Sequence, residues 1–239
     1  VAMNNPYNTN LDRNPANFQP LTPLTFLERA ASVYPNHTAI VHGKLRRNYS
    51  DFYSRSRQLA SALSEQGIAR GDTVSVILSN TPAMLEAHYG VPMCGAVLHS
   101  INTRLDPDTI AYQLDHANSK ALIVDREFLK TAKTSLELAG VSPILIEFND
   151  SEYPIKESLP GAIEYGEFLL KGDKNYNWLM PEDEWDAISL NYTSGTTGNP
   201  KGVVSHHRGA YLLAQGNAMI ASIKKHSVYL WTLPMFHCN

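Results

Sequence analysis

Cysteine is scarce in this chain: its 239 residues hold only Cys94 and Cys238. Two thiols cannot build a disulfide framework, which points to a reducing compartment and a cytoplasmic address. A large excess of charge of one sign is lacking as well. The formal net charge is -3, and a nucleic-acid binder needs a basic stripe that this balance does not supply. No apolar run approaches the ~20 residues of a membrane span, so none is expected. The opening residues also lack the charged-then-apolar order of a secretory leader. Two common nucleotide signatures are missing: there is no G-x-G-x-x-G, and no G-K-[ST] ending as in a Walker A loop. What is present suffices for a core, with 43% of residues hydrophobic and 18% charged. At this length, one large domain or two small ones are expected.

Apolar runs alternate with amphipathic stretches along the chain. Residues 25–34 read as a helix with Phe26, Leu27, Ala30 and Ala31 on one face. Residues 38–42 and 45–49 flank Gly43-Lys44 as a hairpin, with Lys44, Arg46 and Arg47 on its solvated side. Ser50 is expected to cap a helix through Leu63, with Gly67 just past its end. Residues 73–78, 96–98, 121–124, 143–148 and 187–192 read as buried strands. Pro82 suits the first turn of one intervening helix, and Asp106-Pro107 opens another that runs to about Asp115. Such alternation predicts an α/β fold: parallel-rich sheets with helices on both faces. Residues 149–184 are polar, with Pro154, Pro160, Pro181 and the acidic Glu182-Asp183-Glu184. They read as a connecting segment holding one helix near 162–170. The expected division is a first α/β portion over 1–185 and the start of a second over 186–239. In the latter, 202–205 reads as a short strand and 207–223 as a helix, and 228–233 as a strand delivering His237 to its end.

Directly after the strand at 187–192 stands Thr193-Ser194-Gly195-Thr196-Thr197-Gly198-Asn199-Pro200-Lys201-Gly202. Glycines let a backbone turn tightly and bring its N–H groups close to an anion. Hydroxyls add donors without bulk, and Lys201 supplies a point positive charge. Ligands of α/β sheets gather beyond the carboxyl ends of strands, where this loop falls. A plain surface loop is the usual meaning of such composition; the length of the string weighs for phosphate binding. Thr193, Ser194, Gly195, Thr196, Thr197, Gly198 and Lys201 are therefore the candidate nucleotide contacts.

The string resembles the phosphate loop of the adenylate-forming (acyl-activating, AMP-binding) superfamily. A second match, Leu233-Pro234-Met235-Phe236-His237, resembles the segment that carries the acyl-pocket histidine of acyl- and aryl-CoA ligases. The opening, with Leu11-Asp12-Arg13-Asn14-Pro15-Ala16-Asn17 and Pro20-Leu21-Thr22-Pro23, is similar to short- and medium-chain acyl-CoA synthetases. That branch includes methylthiopropionate-CoA ligases and plant peroxisomal acyl-activating enzymes. The resemblance implies part of the large N-terminal domain of a carboxylic acid–CoA ligase. Such an enzyme joins a short- or medium-chain fatty or related acid to AMP from ATP, with Mg²⁺, and then to coenzyme A. It also implies two catalytic residues: His237 beside the acyl carboxylate, and Lys201 against the departing pyrophosphate. Superfamily members continue past this segment to a magnesium-binding glutamate, a ribose-binding aspartate and a C-terminal lid with a catalytic lysine. None of those positions lies within this chain, which is expected to be inactive alone. Two alternatives stand beside this reading: an adenylation domain loading a carrier protein, and a truncated chain that only binds nucleotide.

Other candidates read as structural. A lone histidine at a strand end is usually satisfied by a carbonyl, and only its context sets His237 apart. His206 and His207 face different directions on a helix and are expected at its start, not as a ligand pair. Cys94 beside Met93 reads as core. Cys238 is next to His237, and a Cys–His dyad requires a spatial facing that sequence neighbours rarely achieve. Asp106 with Asp108 reads as helix capping, and no protein metal ligand is expected.

Overall fold

The computed structural model describes residues 5–193 and 199–237. The chain enters through α1 (Leu24–Val33) and a hairpin of β1 (Thr38–His42) with β2 (Leu45–Asn48). Then follow α2 (Tyr49–Glu65), β3 (Thr73–Ile77), α3 (Pro82–Met93), β4 (Val97–Ser100), α4 (Pro107–His116) and β5 (Ser119–Asp125). After these come α5 (Leu129–Leu138), β6 (Ile144–Phe148), β7 (Ile163–Glu164), α6 (Tyr165–Leu170), β8 (Ala187–Tyr192), β9 (Gly202–His206) and α7 (His207–Ile220). Strands β3 to β9 form one seven-stranded sheet in the order β7-β6-β5-β3-β4-β8-β9. Every neighbouring pair is parallel except β8 with β9. The expected parallel-rich α/β architecture is therefore present.

The apolar strands follow from burial on both faces. Successive side chains point to opposite sides, so β3 and β5 feed two cores. Val74, Val76, Ala121 and Ile123 pack with Leu59, Leu63, Met84, Val91 and Phe168 of α2, α3 and α6. Ile77, Leu122 and Val124 pack with Ile110, Leu114 and Ala132 of α4 and α5. Burying one such side chain contributes about 1.5–3 kcal/mol. Right-handed crossovers dictate the division: the step from β3 to β4 runs one way across the sheet and the step from β4 to β5 runs back. The helices α3 and α4 therefore cover opposite faces, and the reversal opens a crevice beyond the carboxyl ends of β3 and β5. α2 and α3 meet closely at Gly90, where an added Cβ would lie 2.8 Å from the Leu59 side chain and the Ser56 carbonyl.

Several local expectations are corrected. The cap of α2 is Asn48, not Ser50: its Oδ1 accepts from the Asp51 amide at 2.8 Å, a bond worth about 1 kcal/mol. Ser50 lies inside the first turn, while Gly67 does follow the helix end with φ +86°. Asp106 caps α4 as expected, accepting from Thr109 N at 3.0 Å. Arg47 is not part of a solvated face, because it pairs with Glu86, a fully buried carboxylate on α3. Arg55 Nε joins the same carboxylate at 2.7 Å, and Tyr165 Oη donates to it at 2.9 Å. Helix α5 had no counterpart in the sequence pattern. Within the polar 149–184 stretch, α6 buries Tyr165, Phe168 and Leu169. Residues 228–233 form no strand: no described strand pairs with them, and Val228 and Leu230 are 96% and 81% exposed. No described helix is long and apolar enough to cross a membrane.

Candidate active site

Ser194, Gly195, Thr196, Thr197 and Gly198 lie outside the described residues, so the site is built from what brackets them. β8 runs parallel to β4, and β9 returns antiparallel to β8. Their pairing ends with Tyr192 opposite Gly202, which sets the two ends of the intervening loop side by side. Beyond that pair, Thr193 N donates to the Lys201 carbonyl at 3.0 Å. The Lys201 amide in turn donates to Thr193 Oγ1 at 3.2 Å. This two-bond latch uses the backbone of Lys201 and leaves its ammonium free of the task. Thr193 and Lys201 are thus brought together at the carboxyl end of β8.

Helix α4 flanks the latch. His116, in its last turn, shares a 2.7 Å hydrogen bond between Nδ1 and the Tyr192 hydroxyl. Tyr112, one turn earlier, donates from its hydroxyl to the Pro200 carbonyl at 3.4 Å. Burial, then the neighbouring Tyr112, pushes the Tyr192 pKa up to about 12, so its hydroxyl stays protonated at neutral pH. His99 stands 5.1 Å from the Tyr192 ring. Burial pushes His99 down to about 4, and its neutral ring is held 2.8 Å from Ser75 Oγ. These flanking groups were not flagged from sequence, because their meeting depends on the β4–β8 pairing.

His237 closes a 3-10 turn, Met235–His237, and its amide donates to the Pro234 carbonyl at 3.0 Å. The turn reaches the same carboxyl end of the sheet as the latch without the expected strand. Asn191 Nδ2 donates to the Phe236 carbonyl at 3.0 Å, and Asn191 is two residues before Thr193 on β8. Asn80, just beyond β3, holds the other side of the turn. Met235 is 5% exposed and joins the main core. Neither asparagine stood out in the sequence, although Asn80 lies shortly after a buried parallel strand, which is where sites of this fold collect.

The remaining candidates are structural. His206 caps α7, its Nδ1 accepting from Gly209 N at 2.9 Å. His207 is buried 2.8 Å from Thr22 Oγ1, and burial lowers its pKa to about 4. Cys94 is buried, and burial raises its thiol to about 11, which makes it unreactive. Cys238 lies outside the described residues.

One acid at this carboxyl end of the sheet carries a pH signature. Asp125 ends β5 at 2% exposure and accepts from the Glu127 amide at 3.1 Å. Burial, with the nearby charges of Glu127 and Asp150, raises its pKa to about 6; Asp150 is itself paired with His42 at 2.9 Å. A folded pKa above the unfolded value of about 3.9 means the folded state favours protonated Asp125. That stabilisation is complete below the unfolded pKa and is lost as pH rises through about 6. Asp125→Asn keeps the acceptor and removes the charge. It is expected to raise the melting temperature by roughly 5 °C at pH 7, from on the order of 2 kcal/mol, and by almost nothing at pH 4. Thermal unfolding at both pH values checks this; an equal gain at both would assign it to packing.

The class of the chain follows from comparison. Residues 27–239 match the AMP-binding enzyme family, and the chain belongs to it. It is 51% identical to the peroxisomal acetate/butyrate–CoA ligase AAE7 of Arabidopsis thaliana, over 96% of this chain and 42% of that protein. It is 46% identical to the acetate–CoA ligase CCL3 of Humulus lupulus, again over 96% and 42%. A solved long-chain-fatty-acid–CoA ligase from Archaeoglobus fulgidus superposes with a TM-score of 0.77 at 22% identity, over 92% of this chain and 44% of that one. At that identity the superposition establishes the fold. The chain thus spans about two fifths of the length of the curated relatives it matches.

Proposed function

We propose that this chain supplies the phosphate-loop portion of a carboxylic acid–CoA ligase that activates a short- or medium-chain acid as its adenylate. The observation that carries the reading is the Thr193–Lys201 latch at the carboxyl end of β8, where the loop's two ends are pinned beside each other. The kinship to acetate and acetate/butyrate ligases supports a short aliphatic acid and free coenzyme A over a carrier protein. One carboxylate oxygen attacks the α-phosphorus of ATP. The bond to the bridging oxygen breaks, and pyrophosphate departs; Mg²⁺ arriving with ATP would offset part of its charge. The acid and the nucleotide are both anions, so the site must orient them and offset charge. Backbone N–H groups and the hydroxyls of Ser194, Thr196 and Thr197 are assigned to the β- and γ-phosphates, together with Thr193, Gly195 and Gly198. Lys201 is assigned to the departing pyrophosphate. His237 is assigned to the acid, whose carboxylate would accept from a ring N–H. The thiol of coenzyme A then displaces AMP.

Few cysteines support a reducing interior, and the peroxisomal relative sets the peroxisome against the cytoplasm as its address. The test is carboxylate-dependent exchange of labelled pyrophosphate into ATP by the intact protein, with acetate, butyrate, hexanoate and benzoate in turn. Exchange is expected to be fastest with a short aliphatic acid, followed by thioester formation on coenzyme A. No exchange with any acid would overturn the assignment.

A further inference from the structure

We propose that Asn80 is a positioning residue that sets the acid-binding turn, an inference that rests on the ligase reading above. Asn80 lies beyond β3 and immediately before Thr81, the N-cap residue of α3. Its Oδ1 accepts from the Met235 amide at 2.8 Å, and its Nδ2 donates to the Leu233 carbonyl at 2.7 Å. The two bonds bracket Pro234 and join segments 153 and 155 residues apart in sequence. On the other side, Asn191 Nδ2 donates to the Phe236 carbonyl. Met235 fills the core beneath, while Val228, Tyr229 and Leu230 before the turn are exposed. The turn is thus placed by one buried side chain and two amides, and Asn80 grips it on both sides of Pro234.

The chemistry singles out an amide. Asn80 must accept from an N–H and donate to a C=O at once. A carboxylate accepts only, so the side chain in Asn80→Asp would keep the bond from Met235 and face the Leu233 carbonyl with no proton to give. A misplacement of about 1 Å at a reacting centre costs on the order of 100-fold in rate. The latch at Thr193 and Lys201 is bonded independently of Asn80, so the nucleotide's contacts stay in place when the turn moves.

The experiment uses the intact enzyme and its Asn80→Asp and Asn80→Ala variants. Exchange kinetics are measured against acid and against ATP, and hydrogen exchange at the Met235 amide is followed separately. Both variants are expected to raise KM for the acid or lower kcat by about 10-fold or more, with KM for ATP changed less than about twofold. The Met235 amide should exchange faster in Asn80→Ala, while in Asn80→Asp faster exchange is confined to the residues around Leu233. An active wild type with unaltered acid kinetics in both variants overturns this assignment alone. So does an equal rise in KM for both substrates, which marks a general structural role. A wild type with no carboxylate-dependent exchange overturns the ligase reading and this inference with it. Unchanged hydrogen exchange at Met235 in Asn80→Ala overturns the clamp itself, whatever the activity.

Discussion

Lys201→Ala in the intact enzyme is expected to slow adenylation by about 100-fold or more while leaving the melting temperature within about 2 °C. The rate term comes from removing one preorganised positive group from the charge that develops on pyrophosphate, worth on the order of 3 kcal/mol. The small stability term comes from the geometry. Lys201 closes the loop with its own N–H and C=O, and alanine keeps both. Its side chain is exposed, so truncation leaves no cavity. Pre-steady-state pyrophosphate release and thermal unfolding on the same preparation check the two halves. A fall in melting temperature as large as a core mutation's would make the loop structural, and an unchanged release rate would remove Lys201 from the chemistry.

Glu86→Ala is expected to be the most destabilising single change outside the apolar core, by about 3–5 kcal/mol. For a unit of this size that lowers the melting temperature by roughly 10 °C. Glu86 has no exposed side-chain surface, and Arg47, Arg55 and Tyr165 all converge on it. One carboxylate acts differently on its two arginines. At Arg47 burial outweighs the attraction and lowers the pKa. At Arg55 burial also opposes the charge, but the attraction and hydrogen bond of Glu86 outweigh it and raise the pKa. Burial and the Glu86 charge together hold the Tyr165 hydroxyl well above its usual range. Alanine would strand two partly buried guanidinium groups and a buried phenol. Glu86→Gln keeps an acceptor and should lose roughly half as much, since part of the cost is unmet hydrogen bonding. Thermal and urea unfolding of both variants decide the matter. A Glu86→Ala protein within about 1 kcal/mol of the wild type would show that water compensates the arginines.

What the sequence made legible follows the range of its signals. The run Thr73–Ile77 was readable as a strand because burial on both faces favours valine and isoleucine with only small polar residues between them. Ala187–Tyr192 was readable from its short, mostly apolar run before the glycine-rich loop. Proline in α3 and Asp106 before α4 marked helix starts because capping is decided within a few residues. Residues 228–233 misled for the converse reason. Val228, Tyr229, Leu230 and Trp231 have the composition of a strand, yet a strand exists only through a partner's ladder. α5 hid because only Ala132 and Ser135 of its residues are buried, and lysines and threonines break the apolar stripe. Arg47 looked like a solvated hairpin charge because Glu86, its partner, is 39 residues away. The site divides in the same manner. The loop string and the His237 segment are contiguous and could be read, whereas Asn80 and His116 matter only through contacts that the sheet order creates.

The spacing along β8 also fixes a length. Asn191, which ties down the turn bearing His237, and Thr193, which latches the loop, are separated by a single residue. Adjacent strand residues rise about 3.3 Å, so the two anchors sit roughly 7 Å apart. In the proposed reaction the attacking carboxylate and the α-phosphate approach to about 3–3.5 Å, so a span about twice that is the scale from the acid to the departing pyrophosphate. One short piece of extended backbone then serves as a ruler between the two substrates. Inserting or deleting a residue there would alter the gauge by about half its length and turn one anchor to the opposite side of the sheet.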